Sequence, residues 1–269
     1  MKILANDGIS KAGIDVLENA GYTVITDKVA QNDLIDYINN ESIEILLVRS
    51  ATTARKEMID ACPGLKLIGR GGVGMDNIDV QYARDNGRLV INTPAASSQS
   101  VAELVLGHML ATSRFLNDSY KNMSTGDFSS LKKQYGKGAE LRGKTLLIVG
   151  FGRIGQSLAT YALGCGMNVQ AIDMFTDPVA LDLNLGNGIQ AKASITPSND
   201  LISALPNADF ISLHIPKQAD GSAVISSKEF GLMKDGVRII NAARGGVIDE
   251  NELINLIKKN NVKIIDIST

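Results

Sequence analysis

The sequence from Thr145 to Gly155 reads TLLIVGFGRIG, a short apolar run that leads directly into the pattern G-x-G-x-x-G. Taken alone, that pattern is weak evidence for any ligand. Here it follows a predicted strand and opens a predicted helix, and Asp173 ends the next predicted strand. This context is the one that a dinucleotide-binding fingerprint requires. The alternative interpretation is a tight turn between strand and helix that holds no ligand.

Each residue type in the fingerprint has a physical role. Gly150 allows the tight turn, Gly152 lets the backbone approach a pyrophosphate at the helix N-terminus, and Gly155 allows close packing of helix against strand. Asp173 can accept hydrogen bonds from the adenosine ribose, and its charge repels a 2′-phosphate. No basic residue follows it, since positions 174 and 175 are Met and Phe. The sequence therefore predicts NAD rather than NADP.

Short apolar runs alternate with longer amphipathic runs on both sides of the fingerprint, which is typical of βαβ units and a parallel sheet. We predict strands at Lys2–Ala5, Thr23–Thr26, Ile43–Val48, Leu65–Gly69, Leu89–Asn92, Thr145–Val149, Asn168–Ile172, Phe210–Leu213, Val237–Asn241 and Val262–Ile267. We predict helices at Ser10–Asn19, with Ser10 as the N-cap, and at Asn32–Asn39, Arg55–Ala61, Val80–Asn86, Arg153–Gly164, Leu201–Leu205, Lys228–Lys234 and Glu250–Asn260.

Three further segments are harder to assign. The run from Ser98 to about Lys121 predicts one long helix, Asp127–Gly143 predicts a loop, and Asp182–Asn199 predicts irregular chain with a short strand at Gly188–Ala191. The predicted fold class is α/β with two doubly wound parallel-sheet domains, joined near Asn92–Ser100. We assign residues 1–97 to a flavodoxin-like domain and residues 98–269 to a Rossmann domain.

Composition excludes several classes of function. Lys and Arg number 27 against 29 Asp and Glu, so the net charge of −2 favours neither nucleic acid nor an anionic membrane as a partner. Aromatic residues make up only 4%, and 44% are hydrophobic, enough for a packed core. The two cysteines have no metal-site or disulfide spacing, no apolar run is long enough to span a membrane, and the N-terminus lacks a signal-peptide core. These features predict a cytoplasmic soluble protein without a metal.

Two arginines follow predicted strands, where ligands bind in doubly wound sheets. Arg244 lies between two alanines and two glycines after Val237–Asn241, and its guanidinium could hold a carboxylate with two hydrogen bonds. Arg49 and Ser50 follow Ile43–Val48 and could also face an anion. For each arginine, an ordinary surface position remains the alternative. The run from Arg70 to Asn77 carries three glycines that could form an anion-binding nest or only a flexible turn.

Taken together, these motifs resemble the D-2-hydroxyacid dehydrogenase family, and most of all its phosphoglycerate-oxidising members. The strings that carry the resemblance are Val48–Thr52, Gly69–Asp79, Asn92–Pro94 with Ser98, Ser100 and Glu103, the fingerprint, and Asn241–Glu250. The resemblance to this family covers nearly the whole chain. The resemblance implies a smaller substrate domain and an NAD domain whose cleft closes over the cofactor. It also implies a homodimer or homotetramer formed through the Ser98–Lys121 region.

The resemblance implies the following roles. Arg244 is the catalytic arginine that holds the substrate carboxylate and the C2 oxygen. The remaining cofactor contacts implied are Arg153, Ile154, His214, Ile215, Pro216, Ala242, Ala243, Asp266 and Val73, and the implied substrate contacts are Arg49, Ser50, Gly72, Val73, Gly74 and Lys133 or its neighbour Lys132.

Family chemistry also needs a His that takes the hydroxyl proton and a Glu that orients it. His108 is predicted to be a packed helix histidine, and the family position of His214 is not the acid/base. The resemblance places the pair after Asp266, so we expect it, with the segment that returns to the first domain, to be missing from a chain that stops at Thr269. The function implied is NAD-dependent oxidation of 3-phosphoglycerate. The alternatives are another 2-hydroxy acid, as in glyoxylate or hydroxypyruvate reductases, and an NAD-binding module without hydride transfer.

Overall fold

The structure, a computed structural model, describes residues 1–124 and 126–258 and, for the strand at 263–266, the backbone alone. The chain divides into two compact units, Met1–Ser97 and a second unit that begins at Ser98. Within the described residues no helix combines the length and the apolar composition needed to cross a membrane.

The first unit is a five-stranded parallel sheet with helices between successive strands. Its strands are β1 (Lys2–Ala5), β2 (Thr23–Ile25), β3 (Ile43–Val48), β4 (Leu67–Arg70) and β5 (Leu89–Asn92), and its helices are α1 (Lys11–Asn19), α2 (Leu34–Asn40), α3 (Lys56–Ala61) and α4 (Val80–Asp85). The spatial order is β2-β1-β3-β4-β5. This is the flavodoxin-like order, whose ligand crevice lies where the order reverses, at β1 and β3.

Local sequence accounts for the first helix. The Ser10 hydroxyl accepts the N–H of Gly13 at 3.2 Å, which satisfies one of the otherwise unpaired donors of the first turn. After the helix, Gly21 takes a left-handed φ of +85°, which allows the chain to turn into β2. The N-cap and the stop predicted for this helix are confirmed.

The second unit contains a five-stranded parallel sheet and a separate two-stranded hairpin. The parallel strands are β6 (Thr145–Val149), β7 (Asn168–Ile172), β10 (Phe210–Leu213), β11 (Arg238–Asn241) and β12 (Lys263–Asp266), in the spatial order β12-β11-β10-β6-β7. The helices are α5 (Ser98–Arg114), α6 (Leu116–Asn122), α7 (Phe128–Tyr135), α8 (Arg153–Gly164), α9 (Leu201–Ala204), α10 (Ser227–Phe230) and α11 (Glu250–Lys258). The order again reverses, here between β6 and β10.

Both faces of the second sheet are covered. Leu146 and Ile148 of β6 pack on the side of α5 and α8, whereas Leu147 and Val149 pack on the opposite side, and all four are almost fully buried. Because side chains alternate along a strand, a continuous apolar run of this kind indicates a strand buried on both faces. The predicted α/β fold with parallel sheets is confirmed.

Three local predictions are wrong. The helix predicted from Ser98 to Lys121 is divided at Phe115, whose φ of +56° lies in the left-handed region and ends α5 before α6 begins. Part of the predicted loop Asp127–Gly143 is helix α7, because the Asp127 carboxylate accepts the N–H groups of Ser129 and Ser130 and thereby caps it.

The third wrong prediction concerns Asp182–Asn199. In place of irregular chain, β8 (Val179–Asn184) and β9 (Gln190–Ile195) form an antiparallel hairpin. Leu181 and Leu183 are buried against the core that contains α8, while Asp182 between them is exposed. The hairpin therefore covers part of the core in the connection that follows β7, between Ile172 and α9.

Candidate functional site

The glycine loop lies at the carboxyl edge of the second sheet, between β6 and α8. Gly150 has a φ of +94°, and its N–H donates to the carbonyl of Ile172 at 2.8 Å. A Cβ atom on Gly150 would lie 2.7 Å from the carbonyl oxygen of His214. Only glycine fits this turn, for reasons of both conformation and space.

The other two glycines differ in their surroundings. A Cβ on Gly152 would meet no atom within 4 Å, so the chain at the start of α8 is open to a ligand. A Cβ on Gly155 would lie 2.3 Å from the carbonyl oxygen of Gly150 and 3.0 Å from Cγ2 of Ile148. Gly155 therefore lets α8 lie against the loop and β6. The side chain of Arg153 is exposed at the first turn, and Ile154 is half-buried.

Asp173 follows β7 and reaches the glycine loop. Its Oδ2 accepts the N–H of Phe151 at 2.6 Å, and its Oδ1 accepts the N–H of Phe175 at 3.1 Å. Carboxylate oxygens have about four lone-pair positions, so capacity remains for hydroxyl donors of a ligand. The carboxylate predicted to contact a ribose thus also fixes the loop predicted to contact the pyrophosphate.

The end of β10 closes over the same loop. The N–H of His214 donates to the carbonyl of Val149 at 2.7 Å, and Ile215 lies against Gly150. Pro216 is exposed beyond them. These three residues therefore lie beside the glycine loop at the edge of the sheet.

His214 is poorly placed to titrate near neutral pH. Its Nε2 lies 2.8 Å from the Ser212 hydroxyl, and Nδ1 is shielded from solvent without a partner among the described residues. Burial disfavours the charged imidazolium and lowers the pKa of His214 to about 4. His108 lies within α5, as predicted. His214 is therefore neutral near pH 7.

The loop after β11 carries Arg244. The amide of Asn241, which is 1% exposed, donates to the carbonyl of Arg244 at 2.9 Å and accepts the N–H of Ala243 at 3.1 Å. Nη1 of Arg244 donates to the carbonyl of Ala243 at 2.8 Å. Ala242 is half-buried and packs against the core on the side of α8. Asn241 thus fixes the turn that presents the arginine.

The first unit has its own cavity at the carboxyl edge of its sheet. The cavity has a volume of about 500 Å³ and is lined by residues at or just beyond the carboxyl ends of β1, β3, β4 and β5, among them Arg49, Arg70, Gly71 and Gly72. Arg49 and Ser50 are exposed. Nε of Arg70 donates to the carbonyl of Arg49 at 3.2 Å, which links the two loops.

The glycine loop of the first unit has fewer available donors than its sequence predicts. The N–H of Gly71 donates to Val48 and that of Gly72 to Arg70, at 2.9 and 3.0 Å. Within the described chain the N–H groups of Val73 and Gly74 make no hydrogen bond, and Asn92 donates to the Val73 carbonyl. The N–H of Gly72 is thus engaged within the loop, whereas those of Val73 and Gly74 are available, and all three residues remain predicted substrate contacts.

The remaining predicted residues are placed as follows. Lys132 and Lys133 are exposed on α7 rather than on a loop. Asp266 ends β12, and its side chain lies outside the described residues. The sequence motifs did not identify Asn241, Asn77 and Asp7, whose polar side chains support the loops around Arg244 and Arg49. A polar residue at or just after a strand end was the available signal for Asn241 and Asp7.

The chain is similar to one family model and to many known proteins of related activity. Residues 106–267 match the family described as D-isomer specific 2-hydroxyacid dehydrogenase, NAD binding domain. The chain is 35% identical over 263 residues to a D-3-phosphoglycerate dehydrogenase of Methanocaldococcus jannaschii, covering 98% of this chain and 48% of that protein. It is 38% identical over 252 residues to a hydroxypyruvate reductase of Thermotoga maritima, covering 94% of this chain and 77% of that one.

Solved structures of the same kind of enzyme are also similar to this chain. The NAD⁺-bound 3-phosphoglycerate dehydrogenase of Entamoeba histolytica matches with a TM-score of 0.76 and 26% identity, over 100% of this chain and 80% of that one. The chain spans about half the length of curated phosphoglycerate dehydrogenases such as the M. jannaschii protein.

Proposed function

Because the chain belongs to the D-isomer-specific 2-hydroxyacid dehydrogenase family, we propose that the protein transfers a hydride between NAD and C2 of a small D-2-hydroxy acid, while the hydroxyl proton passes to or from a general base outside the described residues. The observation that carries this proposal is the glycine loop at the start of α8, with the Asp173 carboxylate bonded to its backbone. The second unit is then the cofactor domain and the first unit, residues 1–97, the substrate domain.

The residues present fit NAD. The pyrophosphate would lie on the open backbone at Gly152, Arg153 and Ile154, where the N-terminus of α8 favours an anion. Asp173 would accept the hydroxyls of the adenosine ribose and repel the 2′-phosphate of NADP. When bound, NAD supplies the carbon that accepts or returns the hydride. His214–Pro216, Ala242, Ala243, Val73 and Asp266 complete the proposed cofactor contacts.

Arg244 is the proposed catalytic residue. Its guanidinium carries a fixed charge and can donate two parallel hydrogen bonds to a carboxylate. In this role it holds the substrate carboxylate and polarises the C2 carbonyl oxygen when that carbonyl is reduced. The Asn241 amide holds the turn that carries it, so little ordering remains to occur on binding.

Within the family, we propose D-3-phosphoglycerate as the substrate. Several relatives named D-3-phosphoglycerate dehydrogenase support this choice. Arg49 supports it as well, because it lines the cavity of the first unit, where its charge can meet a phosphate. Ser50, Val73 and Gly74, from the loops that follow β3 and β4, are proposed neutral donors to the same substrate, and Lys132 or Lys133 is a further candidate cation. Hydroxypyruvate or glyoxylate is the second candidate, favoured by the 38% identity to a hydroxypyruvate reductase.

Calorimetric measurement of binding tests the proposal. We expect NAD to bind more tightly than NADP, and D-3-phosphoglycerate to bind in the presence of NADH more tightly than D-glycerate or D-lactate. Arg244→Lys should weaken D-3-phosphoglycerate binding by about tenfold or more, because the bidentate contact is lost, and leave NAD binding unchanged. Arg142→Lys is the matched control, since Arg142 precedes β6 at the opposite edge of the sheet.

Two results would contradict the proposal. Equal affinity for NAD in the wild type and in a Gly152→Val variant would remove the glycine loop from the site. Equal weakening by Arg244→Lys and Arg142→Lys would remove Arg244 from the substrate site. A preference for an unphosphorylated acid would select the second candidate substrate.

We also propose that two copies of the chain associate through α5–α7. This region exposes several large apolar side chains, which is unusual on a monomer unless they are covered by a partner. They are Leu104, Leu110, Leu116, Tyr120, Met123 and Phe128. Light scattering should give the mass of a dimer or tetramer, and Leu116→Glu with Tyr120→Glu should give a monomer.

A further inference from the structure

The carboxylate of Asp7 is the centre of a hydrogen-bond network in the first unit. Asp7 follows β1, and its side chain is 4% exposed. Its Oδ2 accepts the N–H of Arg49 at 2.7 Å and that of Thr52 at 3.0 Å. Its Oδ1 accepts the Thr52 hydroxyl at 2.7 Å and the Lys28 ammonium at 2.5 Å. A buried carboxylate with four donors is fully satisfied.

Asn77 holds the same two residues from their other side. Its Nδ2 donates to the carbonyl of Arg49 at 2.8 Å and to that of Thr52 at 2.6 Å. The backbone N–H groups of Arg49 and Thr52 therefore both donate to the Asp7 carboxylate, and the backbone carbonyls of the same two residues both accept from the Asn77 amide. In turn the N–H of Ala54 donates to the carbonyl of Asn77 at 2.9 Å, which closes the turn.

This arrangement separates a fixed backbone from an exposed charged side chain. Arg49 and Ser50 point away from the core, whereas Thr52 is 2% exposed and Asn6, its other partner, is also 2% exposed. A loop is ordinarily among the more mobile parts of a fold. Here four hydrogen bonds to two side chains fix its ends, and Lys28 compensates the buried charge of Asp7.

We propose that Asp7 and Asn77 are positioning residues that fix the backbone of Arg49–Thr52 so that Arg49 meets the substrate anion in a set geometry. Neither lines the 500 Å³ cavity, whereas Arg49 does. A loop that is already ordered in the free protein loses less conformational entropy when the anion binds to it. The proposal rests on the proposed function, because the geometry of Arg49 matters to activity only if Arg49 contacts the substrate.

The test compares two carboxylates that each accept a backbone N–H and a lysine ammonium but lie in different units of the chain. Asp7→Asn is the test variant. Asp209→Asn is its control, because Asp209 also accepts a backbone N–H, that of Thr145 at 2.8 Å, and a lysine, Lys234 at 3.1 Å. Asp209 lies at the amino edge of the second sheet, away from either candidate site.

We expect Asp7→Asn to weaken D-3-phosphoglycerate binding, measured with NADH present, by about tenfold, since a bond between charged and neutral groups is lost. The Kd for NADH should stay the same. Hydrogen exchange of the Arg49 and Thr52 amides should become faster by about tenfold or more in the same variant. Asp209→Asn should change none of these quantities. If Asp7→Asn fails to fold, Thr52→Val removes the hydroxyl at constant shape and should show a smaller change in the same direction.

The outcomes separate the two claims. If phosphoglycerate binds equally to Asp7→Asn and Asp209→Asn, the positioning role is wrong while the proposed function stands. If the wild type binds no 2-hydroxy acid, the proposed function is wrong, and so is the link from Asp7 to the substrate. In that case exchange at Arg49 and Thr52 still decides whether Asp7 fixes the loop, and unchanged exchange rejects the whole network as a constraint.

Discussion

Oδ2 of Asp173 lies 2.6 Å from the N–H nitrogen of Phe151, so the carboxylate after β7 and the glycine loop after β6 are one connected unit. A charged acceptor for a backbone N–H stabilises a fold by about 1.5–3 kcal/mol. Asp173 therefore has two roles, one in holding the loop and one as a candidate ligand of the ribose.

Asp173→Asn should separate these roles. We expect the preference for NAD over NADP to fall by about tenfold or more, because the carboxylate no longer repels a 2′-phosphate. One side-chain oxygen remains to accept from Phe151, so unfolding in urea should show a loss of only about 1 kcal/mol. Asp177→Asn is the control, since Asp177 is exposed in the same segment. A cofactor preference identical in the two variants would remove Asp173 from the ribose site.

Gly155 and Gly164 offer a second matched pair, both within α8. Alanine is normally the better helix residue by about 1 kcal/mol. At Gly155 the added Cβ would lie 2.3 Å from the Gly150 carbonyl, so Gly155→Ala should lower the free energy of unfolding by about 1–3 kcal/mol and weaken NAD binding. At Gly164 nothing lies within 4 Å, so Gly164→Ala should be neutral or stabilising. Chemical denaturation of both variants measures the difference, and equal stabilities would contradict the close packing.

How far the sequence predicts the fold depends on the range of the interactions involved. Local signals suffice for β6 with its glycine turn and for the Ser10 cap, because the residues that specify them are neighbours in the chain. The Asp127 cap and the alternation of Leu181 and Leu183 were also visible, but the polar surroundings concealed a helix and a hairpin. The left-handed Phe115 could not be predicted, since nothing in its type favours that conformation.

Prediction of the site has a similar limit. Arg49, Arg244 and Asp173 were identified because each follows a predicted strand, and parallel strands bring such residues to the carboxyl edge of the sheet to which they belong. The partners of these residues lie far away in the sequence. Asp7 meets Arg49 and Thr52, and Asn77 meets the same pair, only after β1, β3 and β4 have formed one sheet. No spacing in the sequence encodes that meeting.

The titration of His214 is a third prediction. Burial lowers its pKa from 6.5 to about 4, so the folded state binds its proton less well than the unfolded state does. The contribution of His214 to the free energy of unfolding is therefore fully present above pH 6.5 and is lost as the pH falls from 6.5 to about 4. Proton NMR of the two histidines, assigned with His108→Gln, should show one midpoint near 4. A midpoint near 6.5 for His214 would contradict its burial as the neutral form.

Asp7 gives the last prediction, which concerns acid stability. Burial alone would raise the pKa of Asp7, but hydrogen bonds from Lys28, Arg49 and Thr52 outweigh burial and lower it from 3.8 to about 2. The folded pKa is below the unfolded one, so this stabilisation is present above pH 3.8 and disappears as the pH falls to about 2. A shift of this size corresponds to at most about 2 kcal/mol, because solvent screens the exposed ammonium of Lys28.

Urea unfolding at pH 5 and at pH 2.5 would measure this contribution. The wild type should lose more free energy of unfolding between the two conditions than Asp7→Asn loses, by up to about 2 kcal/mol, because the variant has no carboxylate to protonate at that position. The two proteins should therefore differ most at pH 5 and converge in acid. If both proteins lost the same free energy of unfolding between pH 5 and pH 2.5, the donors around Asp7 would not favour its charged form. The hydrogen bonds of the Asp7 carboxylate to Arg49 and Thr52 would then stabilise the loop no more than hydrogen bonds to water do.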